Sequence, residues 1–496
     1  GPVVSKKSVI IMGGGIAGLT AAALLSKRGH PVTLLEKEEK TGGCVTGFER
    51  DGFYFDATGA FLAPANPGSA FDAILTELGI ARELDFLALA PSRHIYPGLE
   101  LQLDQGSQAA LMETLARLFP EQTKELAAYN RLCARAGRQF LAFTEAPPWQ
   151  KALMPIFYPT LFRCARHSHA TILDRFFKGQ PALIQALSAL PTTLPPSRLS
   201  FLFVALLRAR ELKDGIFYPR GGMQKVTELL RRAVVDHGGT IRTQEEIGAI
   251  SNSAARVEAV TGQAGALHQA DWFIGAMNPF HGQAMLQGGV RLYSKVFDLS
   301  RYTISPSALL FHVALPARAL PADWPPLLCL HTSADPEIEA QAIAQGIYKD
   351  GLHLVITTPS LLDPDLAPEG HHTLKVLVHA PGASVFAEEF PDQASIDKVE
   401  QDIFAVIKEK TGVDLAAHNL FTMQTTPQDL MARTGNEEGA MYGLDAALGQ
   451  VGARRPPLTT NLANLLWIGH YNRPGHGIVA SALSGSLAAD MISSEK

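Results

Sequence analysis

Cysteine is scarce in this chain. The four residues among 496, Cys44, Cys133, Cys164 and Cys329, lie far apart with no C-x-x-C spacing. That excludes a disulfide framework and a cysteine-based zinc centre, fits a reducing compartment, and leads to the expectation of no metal. Charge is thin as well: 18% of residues are charged and the net charge is −5, so the molecule carries no nucleic-acid footprint. With 46% hydrophobic residues the chain has enough apolar surface for large cores and is not expected to be disordered. Long apolar runs are missing; "LSFLFVALL" falls short of the roughly 20 residues of a spanning helix. A cytoplasmic location is expected, with the inner face of a membrane as a candidate docking surface. Gly1-Pro2 reads as the remnant of a cleaved tag, and no secretory signal is expected after it. The length predicts two or three compact units.

What the chain does have is concentrated in "SVIIMGGGIAGLTAAALLSKRGHPVTLLEKEEKTGGC" (Ser8 to Cys44). "SVIIM" is a short apolar run ending at glycines, the mark of a buried parallel strand. Gly13, Gly15 and Gly18 fit G-x-G-x-x-G: a tight turn, a close backbone approach to a pyrophosphate, and close packing of the following helix. "IAGLTAAALLSKRG" is that helix, closing on Lys27, Arg28 and Gly29 where cations and a glycine stop are favoured. "PVTLLE" is the second strand and ends in Glu36, placed to accept hydrogen bonds from ribose hydroxyls. The pair Gly42-Gly43 lets the chain pass beside the longer arm of FAD, which NAD lacks.

The order glycine loop, Glu36, Gly42-Gly43 and then "FYFDATG" resembles the flavin-dependent amine oxidase and phytoene desaturase superfamily. The resemblance implies FAD held along its whole length. In this segment it implies contacts from Gly13, Gly15, Ile16, Ala17, Gly18, Glu36, Lys37, Gly42, Gly43, Cys44, Val45, Gly59 and Ala60. "YPRGGMQKVTELL" and the strands after it are similar to the superfamily's adenine-lining segment, which puts Ile247 against the adenosine and Ile250 behind it. "PSLLDPDLAPEG" matches a loop-and-strand pattern. "LWIGHYNRPGHGIVASALSG" is similar to the C-terminal flavin motif, which implies contacts from Gly469, His470, Gly475, Gly477 and Ile478. Two departures stand out: His470 where relatives carry an acid or a small residue, and Cys44 where phytoene desaturases carry arginine. The second shifts the resemblance towards the carotenoid isomerase and retinol saturase branch.

The fold class is expected to be α/β: a Rossmann-like, GR2-type FAD-binding domain with an inserted α+β substrate domain. The flavin part would span 1–95, 215–290 and 421–496, and the substrate part 96–214 and 291–420. Within the latter, 150–213 is a candidate membrane-facing helical part. Lys151 to Lys213 holds nine cations against two acids, interleaved with Leu and Phe, as an interfacial segment requires. The resemblance implies an apolar lipid substrate, a long polyene or isoprenoid that is desaturated, saturated or isomerised. Hydride would pass from an allylic carbon to the flavin, and the cofactor would carry the chemistry. His470 and His476 are the best polar candidates for a catalytic role, while Asp56 is expected to anchor its own loop. Two other readings stand beside this: an FAD oxidase of a smaller amine or alcohol, and an escort-type module that holds prenyl chains without redox work.

Overall fold

The computed structural model describes residues 6–347 and 349–495, so Gly1-Pro2 lies outside the described residues. Val9–Met12 is a strand with every side chain buried, as an apolar run covered on both faces must be. It pairs in parallel with Val32–Leu35 on one side and Trp272–Gly275 on the other. Thr240–Arg242 and Leu465–Trp467 complete five parallel strands.

The opening helix, Ile16–Lys27, packs on this sheet through small and apolar residues. Leu19, Leu24 and Leu25 are at most 1% exposed, and each contributes about 1.5–3 kcal/mol by leaving water. The helix stops where the sequence predicts: the Arg28 N–H bonds the Leu24 carbonyl and Gly29 takes φ +92°. The closing helix, Ile478–Ser493, lies directly against it. A Cβ on Gly485 would sit 2.3 Å from the Ala17 carbonyl oxygen, so the two ends of the chain touch backbone to backbone.

A third helix, Met223–Asp236, packs on the opening helix, and its first N–H is fixed by Asp56. That buried carboxylate accepts from Met223 N at 2.9 Å, Tyr54 Oη at 2.8 Å and Tyr218 Oη at 2.6 Å. Asp56 therefore ties its own strand to the middle of the chain, a wider duty than anchoring one loop. Burial pushes its carboxyl up, and the charge of Lys375 is the largest opposing influence. Lys375 is buried too, lowered to about 8 by desolvation, and donates to the Thr58 and Gly59 carbonyls at 2.7 Å each.

Behind the parallel sheet stands a mixed sheet of seven strands. From one edge to the other these are Phe421–Thr425, Ser307–Pro316, His371–Ala380, His353–Thr357, Leu327–His331, Ser92–Tyr96 and Leu99–Leu103. All pairings are antiparallel except Leu327–His331 with Ser92–Tyr96. Between Ser92–Leu103 and the Phe217–Pro219 strand the chain is helical. Thr123–Thr144, Pro148–Ala152, Met154–Phe157, Pro159–Cys164, His169–Phe177 and Phe201–Leu206 surround a core of Tyr129, Leu161, Phe177 and Phe201. Arg208, counted from the sequence among surface cations, is interior: it is 3% exposed and donates to Tyr129 Oη, Gln108 Oε1 and the Leu187 carbonyl. Among the described residues no helix is long and apolar enough to cross a membrane.

Candidate functional site

The strands of the parallel sheet all point their carboxyl ends at one cavity of about 720 Å³. Met12 to Gly15 continue the first strand into it, Leu35 to Lys37 the second, and Ala276 to Asn278 and Ile468 to Tyr471 the two on the other flank. An open parallel sheet leaves its ligand crevice there because connections diverge to either side of the first strand.

The predicted cofactor residues converge on this space. Gly13, Gly15, Ile16 and Ala17 line its floor; Glu36, Lys37, Gly42, Gly43, Cys44 and Val45 line one wall; Gly59 and Ala60 lie beside them. Ile247, expected against the adenosine, also lines the cavity, with Ile250 fully buried, and so do Gly469, His470, Gly475, His476, Gly477 and Ile478. Gly18 corrects the expectation. It does not face the cavity; a Cβ there would lie 2.0 Å from the Gly13 carbonyl oxygen and 3.2 Å from Ala276 Cβ. Its role is to let the helix pack beneath the loop.

The groups present fit FAD. Burial pushes the Glu36 carboxyl up to about 7, and the Gly14 N–H reaches it only at 3.4 Å, leaving acceptor capacity for ribose hydroxyls. Gly15 caps the opening helix with no side-chain partner, so its first N–H groups are free for a pyrophosphate. At the other end Gly477, at φ +105°, begins the closing helix, again with no side-chain cap. Cβ atoms built on Gly469, Gly475 or Gly477 would enter open space, so a flat ring can lie on bare backbone there. The helix start would offer partial positive charge to a reduced flavin bound there.

One residue escaped sequence reasoning. Arg433, in the last turn of the Pro427–Thr434 helix, lines the cavity near Cys44, and its Nε and Nη2 are buried with no acceptor among the described residues. Burial pushes the Cys44 thiol up while the charge on Arg433 draws it down. A guanidinium thus occupies the neighbourhood left without one when arginine is absent at position 44. An unpaired buried cation is costly, and the phosphates of FAD would satisfy it. No sequence signal places it there, since Arg433 and Cys44 meet only through the fold.

The two histidines sit in the cavity wall. Burial lowers His470 to about 4 and His476 to about 3, so both imidazoles are neutral at neutral pH. His470 Nε2 contacts Asn436 Oδ1 at 3.2 Å, and the His476 ring lies 5.1 Å from both Phe203 and Tyr442. Beyond them the cavity continues into the helical segment, lined by Phe140, Pro191, Phe203, Leu206, Leu207 and Val451. Leu207–Glu211 form a π-helical turn on this wall, a distortion often found at functional sites.

Comparison with known proteins agrees with this geometry. The profile of a family described as flavin containing amine oxidoreductase matches residues 16–493. The chain is 24% identical to a 4,4'-diapolycopene oxygenase of Methylomonas over 98% of both proteins. It is 25% identical to a phytoene dehydrogenase of Streptomyces griseus, covering 98% of this chain and 94% of that one. Among solved structures, a putrescine oxidase superposes with a TM-score of 0.65 at 16% identity over 99% of both chains. A cyclohexylamine oxidase from Brevibacterium oxydans gives 0.63 at 16% identity, covering 98% of this chain and 99% of that one.

Proposed function

The chain belongs to the flavin-containing amine oxidoreductase family, and from that premise we propose that this FAD-dependent oxidoreductase acts on C–C and C=C bonds of a long apolar polyene or isoprenoid. The observation that carries the reading is the apolar arm of the cavity, from Leu207 and Leu206 through Phe203 to Phe140 and Pro191, continuous with the flavin end. Relatives similar to this chain along nearly their whole length are named for carotenoid oxidation or desaturation, which favours desaturation over saturation or isomerisation.

Bound flavin would supply the hydride acceptor. The chain's part is to exclude water, align the polyene and keep unfavourable charge away. Neutral His470 and His476 serve that purpose, because an imidazolium there would repel the positive charge that grows on carbon as hydride leaves. Their role on this reading is positioning.

The surface supports a membrane as the source of substrate. Trp149, Leu153, Ile156, Phe157 and Phe162 are 42–70% exposed on three consecutive short helices, with Lys151, Arg163 and Arg166 exposed among them. This apolar patch with a cationic border suits anionic lipid. Phe140, which lines the cavity, lies on the helix leading directly to the patch. A polyene gains about 0.8 kcal/mol per CH₂ on leaving water but little on leaving lipid, so a slot fed from the bilayer has the lower barrier.

The test is anaerobic mixing of holoenzyme with an acyclic polyene in liposomes, watching the oxidised-flavin band. Bleaching with a polyene product that has lost two hydrogens is expected. Bleaching by a primary amine or small alcohol, and none by polyene, would put the smaller-substrate oxidase in its place.

A further inference from the structure

Four rings stand in a row across neighbouring strands of the mixed sheet, away from the flavin-end residues. Tyr96 stacks on His331 at 4.5 Å, and His331 stacks on its cross-strand partner His353 at 4.1 Å. His379 follows 6.3 Å from His353, and its Nε2 lies 3.3 Å from Tyr442 Oη on the cavity wall. At the far end the Pro336–Gln345 helix sets Glu339 Oε1 2.6 Å from His331 Nδ1. Ligand atoms of His331, His353 and Glu339 all lie within 4.8 Å of one another, and no other such trio occurs among the described residues.

A buried histidine–glutamate hydrogen bond is an ordinary structural feature. Two observations exceed it here. His331 is 3% exposed, yet its Nε2 has no partner. Glu339 is 8% exposed and no Lys or Arg pairs with it among the described residues, so a buried carboxylate lacks a counter-charge. Two imidazoles beside a carboxyl with no counter-charge are a donor set suited to a cation. The row is not a proton path, because rings stacked face to face offer no N–H···N bond between them.

We propose that His331, His353 and Glu339 form a divalent-cation site of the zinc class that fastens the Pro336–Gln345 helix to the ends of two sheet strands. Two histidines and one carboxylate, with water in the fourth position, are a ligand set zinc accepts. A tetrahedral shell with bonds of about 2.0–2.1 Å sets ligand atoms roughly 3.3 Å apart. Binding would therefore open the 2.6 Å contact and rotate one ring out of the stack. The expectation of no metal rested on cysteine spacing, which says nothing about a site of histidine and glutamate drawn from two strands and a helix.

Holoenzyme is stripped with chelator, titrated with Zn²⁺ alone, and zinc and flavin are counted per chain. Wild type is expected to take up one zinc per flavin. Glu339→Gln, which preserves size, and His353→Asn, which keeps a polar side chain, are expected to keep flavin and lose zinc affinity by more than the roughly 10–100-fold that follows loss of a supporting residue. A double variant, His331→Ala with Glu339→Gln, should abolish uptake. Wild type that takes up no stoichiometric zinc, or conservative variants that bind it unchanged, would overturn the site. Because flavin content is read separately, its failure leaves the FAD reading untouched.

Discussion

Replacing Arg433 by methionine should weaken FAD binding and, in the same protein, leave the flavin-free chain as stable as before or more so. Methionine keeps much of the side chain's length and removes the guanidinium, whose Nε and Nη2 are buried without an acceptor. Each buried, unsatisfied donor costs about 1–3 kcal/mol, so the flavin-free chain is relieved of that cost. A charge-assisted hydrogen bond to phosphate contributes about 1.5–3 kcal/mol, and its loss corresponds to roughly 10–150-fold in affinity. Arg433→Lys should fall between, since an ammonium keeps the charge and loses the planar fork. Flavin affinity is read by fluorescence quenching on titration of stripped protein, and stability by denaturant unfolding without flavin. Affinity within about threefold of wild type would refute the reasoning, since 0.6 kcal/mol is less than any such bond. So would a flavin-free variant that unfolds more easily, because that would show a structural partner for Arg433.

Gly18→Ala should abolish flavin retention although Gly18 touches no cofactor: a Cβ 2.0 Å from the Gly13 carbonyl oxygen must displace the loop, and the purified protein should be colourless. FAD affinity should rise as pH approaches about 7 and level off above, because ribose hydroxyls favour the ionised Glu36 that burial holds protonated up to about 7; Glu36→Gln should flatten the profile. In the flavin-free chain the sign is opposite: the folded state holds a proton the unfolded state has lost, so stability from this group is present below 4.5 and lost as pH rises through 7, which unfolding at stepped pH will register. Lys375→Met should destabilise the fold by about 1–3 kcal/mol for each of the Thr58 and Gly59 carbonyls left without its donor, and by withdrawing the charge that opposes the burial of Asp56; adding Asp56→Asn should recover only the second part in a double-mutant cycle. Ile156→Glu with Phe162→Glu should end co-flotation with anionic liposomes while flavin content stays unchanged, because both side chains are exposed and far from any core contact they could break.

Local chemistry made the nucleotide half legible. Strand, glycine turn, helix and terminal acid are adjacent in sequence, so the physics acting on them is local, and Val9–Met12, Ile16–Lys27 and Val32–Leu35 fall where periodicity and glycines place them. The C-terminal motif was readable for the same reason: Gly475 and Gly477 precede a helix directly. Local reading gave Gly18 its packing role, and only the resemblance placed it against the cofactor; its partners are the Gly13 carbonyl and Ala276 far along the chain. Local reading counted Arg208 as a surface cation, because a buried arginine bonded to Tyr129, Gln108 and Leu187 has the same letter as an exposed one.

By itself, the order of residues pointed, through the family it resembles, to FAD and to glycine segments near the two ends of the chain, because the backbone geometry of those segments is set locally. Only the tertiary structure decided what surrounds the cofactor and where charge remains unbalanced. Arg433 reaches Cys44 and Lys375 reaches Asp56 across the fold, and Glu339 reaches His331. The first two are charges acting on buried groups from far along the chain, and the third is a contact between a strand end and the helix that follows it. Their consequences depend on distance and desolvation, which exist only once the sheets and helices have packed.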